Sequence, residues 1–234
     1  MTSYNNYIKS IIQFGGEKFK VFSVGMKRAM ATFYGVNKHN YKKVKFTEES
    51  IYSSSKVKGA MSLYNIMQQY FTKKEMMKMV VTDGTPNIGS DTIYLSHKFN
   101  SVNAIELSSD TYKVLVNNIK VLQRKNIHVL NGDTTVELAN MKQDIIFIDA
   151  PWGGRDYKDN KYMMLYMSNK EISTVYIENK NRAKLFIFKV PSNYDIKYFT
   201  SELKKDDPSV KIDTYDYLKN DRVYYKFIAI KNKE

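Results

Sequence analysis

Four short apolar runs, each ending within three residues of an acidic residue, constrain this chain more than any other feature. "MMKMVV" (76–81), "VNAIEL" (102–107), "IHVL" (127–130) and "DIIFID" (144–149) read as strands, and "KLFIFKV" (184–190) follows as a fifth. Their near-continuous apolar character suits strands covered on both faces, which is the condition of a parallel sheet. The methionines of the first run fill core. Between the runs, "SSDTYKVLVNNIKVLQRK" (108–125) carries apolar residues at helical spacing behind a Ser-Ser-Asp start that can cap a helix. Such alternation predicts an α/β, Rossmann-like, mostly parallel doubly wound sheet, with ligands at the carboxyl ends of its strands. "VKIDTYDYL" (210–218) and "DRVYYKFIAI" (221–230), joined through Lys219-Asn220, predict an antiparallel hairpin at the end of the sheet.

The 234 residues suit one such domain over 55–234, opened by an amphipathic helix within 55–71, and an N-terminal, mainly helical extension over 1–54. The formal net charge is +13, carried mainly by lysine because only five of the basic residues are arginine. That balance favours a polyanionic partner, nucleic acid first. With no cysteine, disulfide and thiolate-metal scaffolds are excluded, and His39, His97 and His128 are too scattered to suggest a metal site. No apolar run approaches the ~18 residues of a membrane span, and "MTSYNNYIKS" has no signal-peptide core. An intracellular place, nuclear or cytoplasmic, is the expectation.

The strand ends hold the chemistry. Asp83 opens "DGTPNIGSDT" (83–92), a small-residue turn into a helix where backbone N–H groups can approach a ligand. Glu106 stands where an acid can accept two ribose hydroxyls of a nucleoside cofactor. Asp133, in "NGDTT" (131–135), can accept from an adenine amino group. Asp149 begins "DAPWGGRDY", in which the only tryptophan follows a proline and precedes two glycines. A lone acid at a strand end is usually a cap or a solvated turn, whereas four at successive ends describe a lined crevice.

The order Asp83-loop-Gly89, Glu106, Asp133 and Asp149-Ala150-Pro151-Trp152 resembles class I S-adenosylmethionine-dependent methyltransferases. The string "PWGGRDY" (151–157) is similar to the P-W-G-G-P-D-Y of the trimethylguanosine synthase family, and "FKVPSNYDI" (188–196) to that family's L-P-R-N-x-D-I. The resemblance covers about 76–230. It implies methyl transfer from S-adenosylmethionine to N2 of a 7-methylguanosine in an RNA 5′ cap, with other RNA-processing proteins as partners. It assigns the reacting centre to Asp149, Ala150, Pro151 and Trp152. The cofactor falls to Asp83, Thr85, Asn87, Gly89, Glu106, Leu107, Asp133, Thr134 and Asp149. The substrate falls to Trp152, Gly153, Gly154, Asp156, Tyr157, Pro191 and Asn193, with Lys42 and Lys45 of a loosely matching "NYKKVKF" (40–46).

Asn87 and Ser90 replace glycines of the family's first loop, and Asp149-Ala150 replaces its Ser-Pro. Asn tolerates left-handed backbone better than most residues. An aspartate in the first position matches enzymes that methylate amino groups of internal nucleobases. An internal guanine-N2 or adenine-N6 methyltransferase and a non-catalytic cap- or RNA-binding subunit on a degenerate methyltransferase fold therefore stand as alternatives. Trp152 has two readings as well, a stacking face for a base or an indole anchored beneath a loop.

Overall fold

A computed structural model describes residues 8–14 and 17–232, with side chains from Lys20 onward except those of Arg155 and Asp156. In chain order the strands are β1 (Ile8–Phe14), β2 (Glu17–Ser23), β3 (Phe46–Thr47), β4 (Val80–Asp83), β5 (Ser101–Glu106), β6 (Ile127–Asn131), β7 (Ile145–Ile148), β8 (Tyr166–Met167), β9 (Lys170–Glu171), β10 (Leu185–Pro191), β11 (Asp213–Lys219) and β12 (Arg222–Lys231). The helices are α1 (Met26–Thr32), α2 (Ser50–Ser53), α3 (Val57–Met67), α4 (Lys73–Met76), α5 (Ser90–Ser96), α6 (Ser109–Val121), α7 (Thr134–Glu137), α8 (Ile172–Asn179) and α9 (Ile196–Asp206).

Seven strands form one sheet in the order β11-β12-β10-β7-β4-β5-β6. The β10-β7, β7-β4, β4-β5 and β5-β6 pairs are parallel, and β12 joins β10 and β11 antiparallel. The chain leaves β4 toward β5 on one side and returns to β7 on the other. The strand order therefore reverses at β4, which places the ligand crevice at the carboxyl ends of β4 and β7.

Side-chain alternation splits the core into two layers. Ile145 and Phe147 of β7 join Val81, Leu185, Ile187 and Phe227 beneath α3 and α5, while Ile146 and Ile148 join Phe186, Phe188 and Ile228 beneath α8 and α9. Ser108 caps α6 as expected, its side chain accepting from the Thr111 N–H at 3.3 Å.

Three expectations change. The first strand begins at Val80 rather than Met76, because a capping box between Thr72 and Glu75 sets the preceding residues into α4. The final turn is Asn220-Asp221, at φ 51° and 58°, with Lys219 paired to Arg222. A two-residue turn of this hand needs positive φ at both positions, which Asn and Asp accept more readily than Lys.

The extension is not mainly helical. β1 and β2 pair antiparallel, β3 adds to β2, and only the short α1 and α2 are helical between Met26 and Ser53. Alternating apolar residues on either side of Gly15-Gly16, which lie outside the described residues, favour strands there. Phe22, Phe33 and Phe46 of this lobe pack with Ile88, Ile93, Val114, Leu115 and Ile119 of the α5–α6 region.

The lobe thus completes the main core rather than building its own. Replacing Phe46, which is fully buried and 5.4 Å from the Phe33 ring, by Ala should cost about 3–5 kcal/mol. Thermal unfolding of Phe46→Ala should remain a single transition at lower temperature. A separate early transition at lower temperature, below an unchanged main one, would contradict the shared core.

Candidate functional site

The carboxyl edge of the sheet gathers four acids. Asp83 is fully buried at the end of β4, accepting from Thr92 Oγ1 at 2.6 Å and from the Thr85 N–H at 3.2 Å. Burial, reinforced by nearby Asp91, pushes its carboxyl up to about 7. Thr85 Oγ1 in turn accepts from the Asp149 N–H at 2.7 Å, which ties the β4 turn to the end of β7.

Glu106, closing β5, accepts from the Ser108 N–H at 2.9 Å and the Asn87 N–H at 3.0 Å. Burial outweighs these bonds and raises it to about 7. Asn87 takes the left-handed conformation at φ 51°, so the turn survives the loss of a family glycine. Gly89, at φ 96°, caps α5 at a point where a Cβ would lie 2.6 Å from Leu115 Cδ1.

Gly84, which no motif marks in the sequence, is required by packing, since a Cβ there would come within 2.7 Å of Thr134 Cγ2. Thr134, buried, donates from Oγ1 to the Gly84 carbonyl at 2.5 Å and joins the β4 and β6 turns. Asp133 caps α7, accepting from the Thr135 N–H at 2.8 Å. Burial would raise its carboxyl, but bonds from Ser168 and Thr135 outweigh that and hold it below the usual range. Leu107, beside Glu106, is 65% exposed.

Around Asp149 the fold gathers residues that no motif in the sequence marks. Lys189 lies inside the apolar β10, and its Nζ meets Asp149 Oδ2 at 2.6 Å with side-chain exposures of 7% and 18%. Lys189 also donates to Ser55 Oγ at 3.0 Å, and Ser55 hydrogen-bonds Asp91, itself raised by burial to about 6. Burial alone would lower the lysine's pKa; Asp149 and Asp91 outweigh it and leave it raised. Asp149 is raised by burial, against the pull of Lys189. The signal was available in sequence, since a lysine amid "LFIFKVP" cannot be buried without an acidic partner.

Trp152 partly adopts the anchoring reading. It packs against both core layers and lies edge-on to Tyr157 at 5.1 Å, with Lys189 Nζ 5.5 Å from its ring and 4.9 Å from that of Tyr225. Its indole N–H sits by the Asp149 carboxylate and favours the ionised form, yet no acceptor meets it at hydrogen-bond geometry. Pro151 is exposed, and Gly153 and Gly154 hold φ 78° and 98°, a backbone that side-chain-bearing residues rarely adopt.

Asn193 joins the two family motifs, donating to the carbonyls of Tyr157 at 2.9 Å and Asn160 at 2.7 Å, while Pro191 ends β10 opposite Tyr225. The Asp156 side chain lies outside the described residues. Lys42 and Lys45 are not brought to this corner. Lys45 bonds Ser23 and, through its backbone, Asn118 of α6, and Lys42 lies over Tyr41. Among the described residues no group of three or more His, Asp or Glu is placed to hold a metal ion, and no helix is long and apolar enough to cross a membrane.

Breaking the buried pair strands a charge. Lys189→Met should destabilise the fold by about 3–5 kcal/mol, and the double variant Lys189→Met/Asp149→Asn by less. Denaturant titrations of the two single variants and the double close this cycle. Strict additivity would show that the pair does not interact.

The chain is 37% identical over 136 residues to an uncharacterised protein of Acanthamoeba polyphaga mimivirus, a match covering 56% of this chain and 53% of the relative. The chain thus spans about half the length of the curated relative it matches. Among solved structures, a protein of Porphyromonas gingivalis assigned to the methyltransferases superposes with a TM-score of 0.58 at 16% identity, over 81% of this chain and 44% of that one. A Streptococcus mutans protein with the same assignment, solved with S-adenosylhomocysteine, gives 0.51 at 12% identity, over 72% of this chain and 96% of that one. These likenesses show the class I methyltransferase fold. The family model described as RNA cap guanine-N2 methyltransferase matches residues 77–233, from just before β4 through β12, and the chain belongs to that family.

Proposed function

We propose that the protein is an S-adenosylmethionine-dependent RNA methyltransferase that methylates N2 of 7-methylguanosine in an RNA 5′ cap. The observation that carries this reading is the Asp149 carboxylate, held by Lys189 beside Trp152 at the carboxyl end of β7, with Asp83 and Glu106 at the next two strand ends.

The residues present fit the methyl donor. Gly84 lets Thr134 close the β6 turn against the β4 turn, Asn87 keeps the left-handed turn, and Glu106 stands at the strand end suited to ribose hydroxyls. Leu107 offers an exposed apolar surface beside it. When bound, S-adenosylmethionine supplies a methyl group already activated by its sulfonium, so the chain's own work is chiefly positioning. Lys189 takes Asp149 Oδ2, and Oδ1 is the acceptor that can orient an amine N–H and point its lone pair away from the carboxylate. Thr85 fixes the backbone beneath that carboxylate.

Trp152 offers the base an aromatic surface worth ~1–3 kcal/mol, between Tyr157 and the Gly153-Gly154 turn. Trp152→Ala should therefore raise the KM for capped RNA by about 5- to 150-fold, with Trp152→Phe recovering part of the loss.

A second reading, an internal guanine-N2 or adenine-N6 methyltransferase, is favoured by one observation. Lys189 already lies within cation–π distance of Trp152 and Tyr225. A neutral base meets less repulsion there than the cationic 7-methylguanine.

Incubation with labelled S-adenosylmethionine and matched 7-methylguanosine-capped and uncapped RNA, followed by nucleoside analysis, tests the assignment. Label in a dimethylated or trimethylated cap nucleoside supports it. Label confined to internal bases of both RNAs establishes the second reading instead.

Cofactor binding should also depend on pH. Glu106 accepts hydroxyl protons best when ionised, and its carboxyl titrates near 7. The ionised fraction, and with it the affinity for S-adenosylmethionine, should rise about tenfold from pH 6 to 8. Calorimetry on Glu106→Gln should show that rise abolished, and an unchanged pH dependence would remove Glu106 from the cofactor site. A wild-type protein without measurable cofactor affinity would point to a non-catalytic cap-binding subunit.

A further inference from the structure

We propose that a groove formed by the β11–β12 turn and the segment after β10 holds the phosphate chain of the first nucleotides of an RNA strand whose terminal base lies at Trp152. This rests on the reading of the protein as an RNA methyltransferase. The groove encloses about 580 Å³, and Lys158, Ser192, Asn193, Lys219, Arg222 and Tyr224 line it.

Three observations assign it to a polyanion. The first is charge without partners. Lys158, Lys219 and Arg222 take part in none of the seven ion pairs among the described residues, whereas Lys113, Lys170, Lys180, Lys184, Lys189, Lys205 and Lys226 each have an acid. Beyond the groove, Lys56 is shifted down by burial and then by the like charges of Arg28 and Lys219. Like charges kept this close repel, and an anion among them relieves the repulsion.

The second is continuity with the base corner. Rings and ammonium groups run without interruption from Trp152 to Tyr157 at 5.1 Å, from Tyr157 to Lys158 Nζ at 5.7 Å, from there to the Tyr224 ring at 5.6 Å, and on to Lys219 Nζ at 5.0 Å. An alternating path of aromatic surface and positive charge is what single-stranded nucleic acid follows, its bases stacking while its backbone pairs with cations. The third is rigidity. Asn193, in the groove wall, holds the Tyr157–Asn160 segment by two bonds, so the groove and the corner are one fixed unit. The lysines that sequence analysis chose for this task, Lys42 and Lys45, lie instead against Ser23 and α6.

Charge reversal at the turn tests the proposal. Binding of a fluorescent, 7-methylguanosine-capped RNA of about ten nucleotides is measured by anisotropy over a salt series. The proteins are wild type, Lys219→Glu/Arg222→Glu and a control of equal charge change, Lys73→Glu/Lys74→Glu. The control pair is exposed on α4, which leads into β4 at the opposite edge of the sheet. The groove variant should lose at least tenfold in affinity at 0.1 M salt, and the slope of log K against log salt should become shallower by about 1.4, two phosphate contacts at ~0.7 each. The control should change far less, and calorimetric affinity for S-adenosylmethionine should stay within twofold in all three proteins, which also reports that they are folded.

An equal loss in groove variant and control would overturn the proposal, since net charge alone would explain it. So would an equal loss for 7-methylguanosine triphosphate and for RNA, because the groove would then serve only the terminal phosphates. A wild type that binds no RNA at all would instead refute the underlying reading as an RNA enzyme. A wild type with salt-dependent RNA binding that the groove variant retains refutes the groove alone.

Discussion

The buried pair between Asp149 and Lys189 is the interaction on which the rest of this site depends. It links the ends of β7 and β10, reaches Ser55 just ahead of α3, and through Ser55 touches Asp91 in α5. Desolvating two charges is costly, and their attraction compensates only where geometry is good and the remaining hydrogen bonds are made. Here those bonds come from four separate parts of the chain. The segment ahead of α3, the start of α5, the motif strand and the strand before the hairpin must all be in place before the lysine is satisfied.

That arrangement explains how one edge of the sheet handles so many acids. Asp83, Asp91, Glu106 and Asp149 are all raised by burial, and Lys189 is the cation among them. The rest of the compensation is by backbone N–H groups and hydroxyls. Thr92 and the Thr85 N–H serve Asp83, while the Ser108 and Asn87 N–H groups serve Glu106. Acceptors held this way are oriented before any ligand arrives, which suits a reaction whose catalysis lies in alignment. Trp152 belongs to the same construction. It packs against both core layers and lies edge-on to Tyr157, so the ring anchors the loop that carries it.

The loss of family glycines in the first loop has a physical resolution. Asn87 reaches the left-handed region that glycine would have occupied, and Gly89 remains where both its φ and the nearby Leu115 demand it. Ser90 opens α5 as an ordinary first-turn residue, where no special backbone is required. Asp149 in place of serine is matched by Lys189 two residues before Pro191, a compensation between strands that pair in parallel.

Much of this was legible in the residues themselves. Apolar runs with acids at their ends are enough to specify a parallel α/β sheet, because period and burial are local properties, and the crevice acids follow from where those runs stop. "PWGGRDY" marks the corner after β7 because two adjacent glycines after a tryptophan signal a backbone that side-chain-bearing residues rarely adopt. The N-terminal lobe was misjudged because its strands are stabilised by packing on α5 and α6, a contact invisible to local pattern. Lys189 could be seen as anomalous but not assigned, since its partner stands 40 residues away. The basic groove likewise depends on the β11–β12 turn folding back beside Tyr157 and Asn193. Sequence alone determined the run of strands in the main sheet, the acids at their ends and the motif corner. Only the tertiary structure decided which charges meet and which remain unpaired, because electrostatic pairing depends on distance through space and not along the chain.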